Sequence, residues 1–375
     1  MDLPLYFTDF LRELRLTGTQ INDLRIGHRT LRKQLEEDAE LAPMVVASFL
    51  HGSYRRATAV RAKESARARG DVMVVTRLDR DGQTPAEALK RFVPFLERHY
   101  GGQYETRGRS FRINLAHVDL DLVITAAPIE AEAEMYTAAS VTTEITLEEA
   151  GDWRLVKSWV PPDARSTPDA RMLFERAARE DEWMPSPLYV PDREVKAWTP
   201  TQPFAQLQWT RDKNQRCSGH YVNVVKAIKW WRIVNLETLE QLTGYPIEHL
   251  VGACCPDGIG SVGAGVTRTL QEIAARYAPD AAQKRTPDLP DHGVSRNVLR
   301  RMSGEDFAAF HARISQAAET ASGALASQDP GESAEMWGRL FGEKFPTLPA
   351  DGGGPRTGGY TPRKEKSIVG GGRYA

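Results

Sequence analysis

The sequence predicts an α+β fold: a strand-bearing N-terminal part, a helical C-terminal part and a flexible glycine-rich tail. Three observations carry this expectation. The apolar runs "DVMVVTRL" and "VDLDLVI" fall early in the chain and have strand length, as buried central strands do. From about residue 201 the apolar positions recur at helical spacing, over 219–236, 237–251, 266–277, 304–326 and 332–341. Residues 351–375 hold eight glycines and five Lys/Arg with only Ile368 and Val369 as aliphatics, too little apolar surface to offset the entropy of ordering them.

The elements follow in order. Residues 5–41 read as two helical segments with a turn near Gly18, from Leu11, Leu14 and Leu16 and then Ile21, Leu24 and Leu31. Residues 44–53 run apolar into Gly52-Ser53, and "DVMVVTRL" follows as a strand. "TPAEALKRFVPFLERHYG" reads as one amphipathic helix stopped by Gly101. "FRINLAHVDLDLVITAAP" reads as two strands. Residues 128–200 are rich in Pro, Glu and Ala without a period and read as an irregular excursion. No internal repeat is found.

Composition bounds the function. The 375 residues suffice for two domains or one large one. Net charge is −1, so no strong nucleic-acid signal exists and any basic surface must be local. No run of 18 apolar residues and no leader-like N-terminus occurs, so no membrane association is expected. Three cysteines, two of them adjacent, make a poor disulfide framework and point to a reducing cytoplasmic setting.

Several stretches carry chemistry. A Gly52-Ser53 turn ahead of a helix can offer backbone N–H groups and a hydroxyl to a phosphate, and is equally an ordinary turn. Asp71 heads one apolar strand and Asp121 lies at the equivalent place in another. On adjacent strands they would stand side by side, and paired carboxylates hold Mg²⁺; two such ions stabilise an in-line phosphoryl displacement. Asp119 shares a face with Asp121 and is a candidate additional ligand. As strand-end caps or ion-pair partners the same acids would need no metal. Lys226, Lys229 and Arg232 lie close to one helix face, and Val222, Val225, Ile228 and Trp231 define another. They are either a solvated basic face or triphosphate ligands. Tyr245 either stacks on a base or packs in a core. "GIGSVG" at 258–263 fits G-x-G-x-x-G but follows no strand, which argues against a dinucleotide site. Cys217, His220, Cys254 and Cys255 match no strong zinc spacing and read as buried thiols.

Taken in order, "GSYRRATAV", the strand "DVMVV", the strand "LDLVITA" and the helix "VVKAIKWWR" resemble the CD-NTase family. These are the bacterial cyclic-oligonucleotide synthases of anti-phage (CBASS) defence, relatives of cyclic GMP-AMP synthase and oligoadenylate synthase. The resemblance covers roughly 45–345. It implies a polymerase-β-like nucleotidyltransferase core over 1–200, N-terminal helices included, a helical domain over 201–346 and a disordered tail over 347–375. It implies Mg²⁺ or Mn²⁺ held by Asp71 and Asp121, and NTP substrates. Gly52 and Ser53 would form the phosphate-binding turn, Lys226 and Lys229 would face the donor triphosphate, and Tyr245 would lie against a base. The product would be a cyclic di- or trinucleotide second messenger.

One position departs from the family pattern. The metal strand usually reads acid–x–Asp–apolar–apolar, and Arg69 stands where the first acid belongs if Asp71 is the second. The other register makes Asp71 the first acid and Met73 the second; the former is preferred because the apolar run then starts directly after Asp71. A guanidinium facing metal ions is repulsive and can pair with Asp71. Three accounts are open: an introduced inactivation, which is preferred; a nucleotide-binding scaffold without transfer; or replacement of the lost ligand by Glu64 from "RAKESARAR". Reduced or absent activity is expected under the first two. The tail "SIVGGGRYA" resembles those of family members conjugated through the terminal carboxylate, here Ala375, by an E1/E2-like (Cap2-type) partner enzyme.

Overall fold

A computed structural model describes residues 1–61, 67–127, 186–236, 239 and 242–347. Glu64, the tail with Ala375 and most of the 128–200 excursion lie outside the described residues. Seven strands form one sheet among the described residues: β1 (Val45–His51), β2 (Ala68–Thr76), β3 (Tyr104–Thr106), β4 (Phe111–Asn114), β5 (Val118–Ala126), β6 (Leu188–Asp192) and β7 (Ala197–Thr201). The order is β1-β2-β5-β4-β3, with β6 pairing β5 and β7. β2 and β5 are parallel and the other pairs antiparallel. A parallel pair needs a crossover; here 77–117 supply it, with α4 (Pro85–Lys90), α5 (Val93–Tyr100), β3 and β4.

One face of the sheet is covered by α2 (Gly18–Glu37), whose Leu24, Leu31 and Leu35 pack with Leu120, Leu122 and Ile124. Thr17 caps α2: its Oγ1 accepts from the Gln20 N–H (3.2 Å), and Gln20 Oε1 accepts from the Thr17 N–H (3.0 Å). On the opposite face Met73, Val75, Val123 and Leu188 pack with Phe204 of α6 (Pro203–Arg216). The C-terminal half adds α7 (Tyr221–Asn235), α8 (Gly244–Cys254), α9 (Val262–Arg276), the short α10 (Ala278–Ala282), α11 (Gly304–Ala326) and α12 (Pro330–Phe341).

The structure departs from the sequence expectations at several places. The helix expected over 84–101 is two helices, because Pro94 has no N–H for the Lys90 carbonyl and its ring would crowd it. β6 and β7 occupy the end of the stretch read as irregular; Pro191 and Pro200, inside them, masked the strand pattern. Helix α6 was not anticipated, because the face it buries includes Gln206, Thr210, Lys213 and Asn214, invisible to an apolar period. The helix expected at 237–251 starts at Gly244, and the one at 266–277 starts at Val262. Finally α1 (Pro4–Leu14) buries Phe7, Phe10, Leu11 and Leu14 in the core of the C-terminal helices rather than against the sheet. Phe10 stacks on Phe341 at 4.5 Å and Phe7 meets Trp337 edge-on at 5.0 Å.

Candidate active site

The parallel register of β2 and β5 sets Asp71 beside Asp121 and Arg69 beside Asp119. His51 of β1 is the other neighbour of Asp71, and Arg112 of β4 the other neighbour of Asp121. Strand alternation puts both carboxylates on the Met73/Val123 face, toward the C-terminal helices. β1 ends at His51, and the single turn α3 (Gly52–Arg55) starts there. Gly52 has φ +71°, and a Cβ on it would run into the Asp71 carboxylate. Glycine is required twice over, by the left-handed backbone and by the carboxylate resting on it. The Ser53 carbonyl accepts from the Thr58 and Ala59 N–H groups at 2.9 and 3.1 Å, which curls the chain after the turn.

Burial, and then the negative charge of Asp121, push the Asp71 carboxyl above its ordinary range, against the opposing pull of Arg56, Arg69 and Arg112. Arg112 grips Asp121 with two bonds, Nε at 2.9 Å and Nη2 at 3.0 Å. Arg69, half exposed, reaches Asp121 Oδ2 at 3.9 Å; its ion contact is therefore with Asp121 rather than with Asp71. Asp119 is paired with Arg67 at 3.4 Å.

Arg56, whose charge acts on Asp71, belongs to a buried cluster with Lys229 and Glu248. Lys229 of α7 donates to the Thr58 carbonyl (3.0 Å) and to Glu248 Oε1. Arg56 Nε donates to the other oxygen, Glu248 Oε2, at 2.9 Å. Its guanidinium lies 5.2 Å from the Tyr245 ring, and the Tyr245 hydroxyl donates to Asp291. Tyr245 also meets His249 edge-on at 4.6 Å. Burial alone would raise the Glu248 carboxyl, but Arg56 and Lys229 more than reverse this and hold it at about 2. This carboxylate stabilises the fold above its ordinary pKa near 4.5, and that contribution is lost as pH falls from 4.5 toward 2. Of the acid-labile stability it supplies, about 2 kcal/mol is expected to be lost between pH 7 and pH 3, and Glu248→Gln to remove that part of the pH dependence in denaturant melts at the two pH values.

The expected basic face of α7 is not solvated: Lys226 is 3% exposed and Lys229 7%, and Arg232 is half-buried with its Nη2 on the Leu239 carbonyl. Ser261 of "GIGSVG" caps α9, accepting from the Ala264 N–H (3.1 Å) and donating to Asp2 (2.5 Å). Cys217, Cys254 and Cys255 are buried free thiols. Among the described residues no three His, Cys, Asp or Glu side chains are placed to hold a metal together.

Residues 1–146 match the family described as Second Messenger Oligonucleotide or Dinucleotide Synthetase domain. The chain is 44% identical over 384 residues to the cyclic AMP-AMP-GMP synthase of Enterobacter hormaechei subsp. hoffmannii (strain UCI 50), covering 100% of both chains. The chain is a CD-NTase. A probable cyclic AMP-AMP-GMP nucleotide synthase of Salmonella paratyphi B is also 44% identical, over 372 residues and 96% of each chain. The solved CD-NTase CdnG of Bradyrhizobium diazoefficiens, in complex with GTP, shares the fold with a TM-score of 0.64 at 11% identity, over 91% of this chain and 95% of that one.

CD-NTases are nucleotidyltransferases of the cyclic-oligonucleotide synthase family, and a divalent metal belongs to their chemistry. In this CD-NTase the Asp71–Asp121 pair fits one such ion: two carboxylates that repel each other, with lone pairs beyond those Arg112 uses. Arg69 stands on the same face of β2 as Asp71, with its guanidinium 3.9 Å from Asp121. Three residues of this site escaped the sequence reading. Glu248 had a signal, a lone acid in the apolar run "YPIEHLVGACC", since an unpaired acid is rarely buried. Arg56 and Arg112 had none, because only register and the fold around Gly52 bring them in.

Proposed function

We propose that this CD-NTase binds NTPs between the sheet and the C-terminal helices and is built to join them into a cyclic trinucleotide for anti-phage defence, with turnover impaired by Arg69. The observation that carries it is the side-by-side register of Asp71 and Asp121 over Gly52, with Arg56 acting on Asp71, covering Tyr245 and tied through Glu248 to Lys229. The printed names of the two 44%-identical relatives favour a product of two adenylates and one guanylate.

In this reading Asp71 and Asp121 hold Mg²⁺ or Mn²⁺, which when bound lowers the pKa of the attacking ribose hydroxyl and offsets charge on the leaving pyrophosphate. The Gly52-Ser53 turn offers its N–H groups to the donor phosphates. Lys229, with Lys226 one turn before it, supplies positive charge to the triphosphate. Tyr245, backed by Arg56 and His249, gives a base a flat face. A half-exposed Arg69 guanidinium at Asp121 opposes cation binding there and supplies no carboxylate. Conjugation through Ala375 by an E1/E2-like partner belongs to the same reading and rests on the tail's resemblance alone. A second reading, a nucleotide-binding scaffold without transfer, is favoured by Arg69 itself.

Calorimetric titration with ATP and GTP, with and without Mg²⁺, tests both. Binding is expected, weakened at least about tenfold by Lys229→Met. An absence of NTP binding defeats the synthase and the scaffold readings together. A phosphatase-resistant product from the parent chain would defeat the scaffold.

A further inference from the structure

Lys229 is already engaged before any phosphate reaches it. Of the three N–H donors of its ammonium, one goes to the Thr58 carbonyl and one to Glu248. Its stem is pinned under the first turn of α8, where a Cβ on Gly244 would lie 3.0 Å from Lys229 Cε. Glu248 gives its second oxygen to Arg56, whose guanidinium also covers Tyr245. One carboxylate thus bonds both cations, of which Arg56 acts on Asp71, and all three side chains are buried. Arg56 and Lys229 keep it ionised throughout the neutral range. An incoming polyphosphate meets a like charge at the seat it needs, and in a poorly solvated site such repulsion is large.

We propose that Glu248 is an internal competitor of the nucleoside triphosphate, a carboxylate that holds Lys229 and Arg56 and must give up Lys229 when the donor phosphates bind. The proposal rests on the reading that Lys229 receives the donor triphosphate. Glu248 is a positioning residue: it keeps two buried cations charged and placed, and sets a threshold that only a strongly anionic ligand overcomes. Adenosine, with no phosphate, does not pay this repulsion. Affinity for triphosphate is therefore lower than the two cations alone would give. Because Arg56 and Thr58 follow the Gly52 turn while Lys229 and Glu248 lie on α7 and α8, the exchange also loosens the tie between sheet and helices.

The test is calorimetric titration of ATP and adenosine in EDTA, which keeps metal off the carboxylate pair and makes its repulsion common to every variant. It uses the parent chain, Glu248→Gln, Glu248→Asp and Lys229→Met. Glu248→Gln is expected to tighten ATP about tenfold or more, with adenosine unchanged. Glu248→Asp, a methylene too short to reach both cations, falls between. A merely structural carboxylate predicts the opposite sign, so unchanged or weaker ATP binding in Glu248→Gln overturns the proposal. So does loss of the fold in both Glu248 variants, since such a carboxylate cannot be exchanged for a ligand. If Lys229→Met binds ATP as tightly as the parent, or no variant binds it, the donor-site reading fails first and takes the competitor with it.

Discussion

Arg69→Asp is expected to raise the yield of phosphatase-resistant cyclic product from ATP and GTP with Mg²⁺ by at least about a hundredfold over the parent chain, the rate equivalent of roughly 3 kcal/mol. The side chain at position 69 stands beside Asp119 and on the same face as Asp71, within reach of Asp121. A carboxylate there would complete a three-acid cluster with Asp71 and Asp121. It would also bring like charges together, so the variant should melt lower than the parent in EDTA and recover with Mg²⁺ or Mn²⁺. Arg69 is half exposed and among the described residues its ion contact is the 3.9 Å one to Asp121, so its removal alone costs the fold little. Arg69→Ala separates two explanations. If alanine restores activity as well as aspartate, the guanidinium was an obstruction and two carboxylates suffice. If only aspartate does, the lost ligand was the lesion. Equal product from parent and Arg69→Asp would mean that the acids of β2 and β5 do not carry the chemistry as proposed.

The second large effect is expected at Gly52. Gly52→Ala forces a side chain into φ +71° and into the space of the Asp71 carboxylate. The backbone conformation costs about 1–3 kcal/mol for a residue with a Cβ, and the steric insertion about 1–3 kcal/mol more. The chain is expected to melt lower, and the turn should move off Asp71 rather than leave the carboxylate in place. In the Arg69→Asp background Gly52→Ala should abolish product, while ATP binding in EDTA weakens less because Lys229 and Arg56 are untouched. A variant that keeps both stability and product would show that the turn is not tied to Asp71 as the structure has it.

Much of the arrangement could be read before any coordinates. The two strands carrying Asp71 and Asp121 were legible because buried parallel strands are continuous apolar runs, in which an acid stands out. The helical spacing of α11 and α12 is regular, and the turn near Gly18 marks the start of α2. Elements with a polar buried face or with internal proline were not legible. Helix α6 hides Gln206, Thr210 and Asn214, and β6 and β7 each contain proline, so periodicity and propensity point away from what forms. The site divides in the same way. Gly52, Asp71 and Asp121 belong to local patterns. Arg56, Arg112 and Glu248 acquire meaning only through partners distant in sequence: Arg56 and Glu248 are 192 residues apart and share one bond.

The sequence by itself determined the chemical inventory: which strands are buried, that each carries a carboxylate at an equivalent place, and that an arginine stands at position 69; the strands begin three residues before those acids, at Ala68 and Val118, rather than at them. These are properties of short windows, set by side-chain period and backbone freedom. Tertiary structure decided how that inventory is charged and connected. Register placed Arg112 and Arg69 on Asp121 rather than on Asp71. The packing of α7 and α8 against the turn after β1 buried Lys229 and gave its charge to Glu248. Helix α1 joined the C-terminal core through Phe7 and Phe10 instead of the sheet that follows it in the chain. The reason is physical: the charge state and availability of a side chain depend on what surrounds it within a few ångströms, and those neighbours come from segments that only folding brings together.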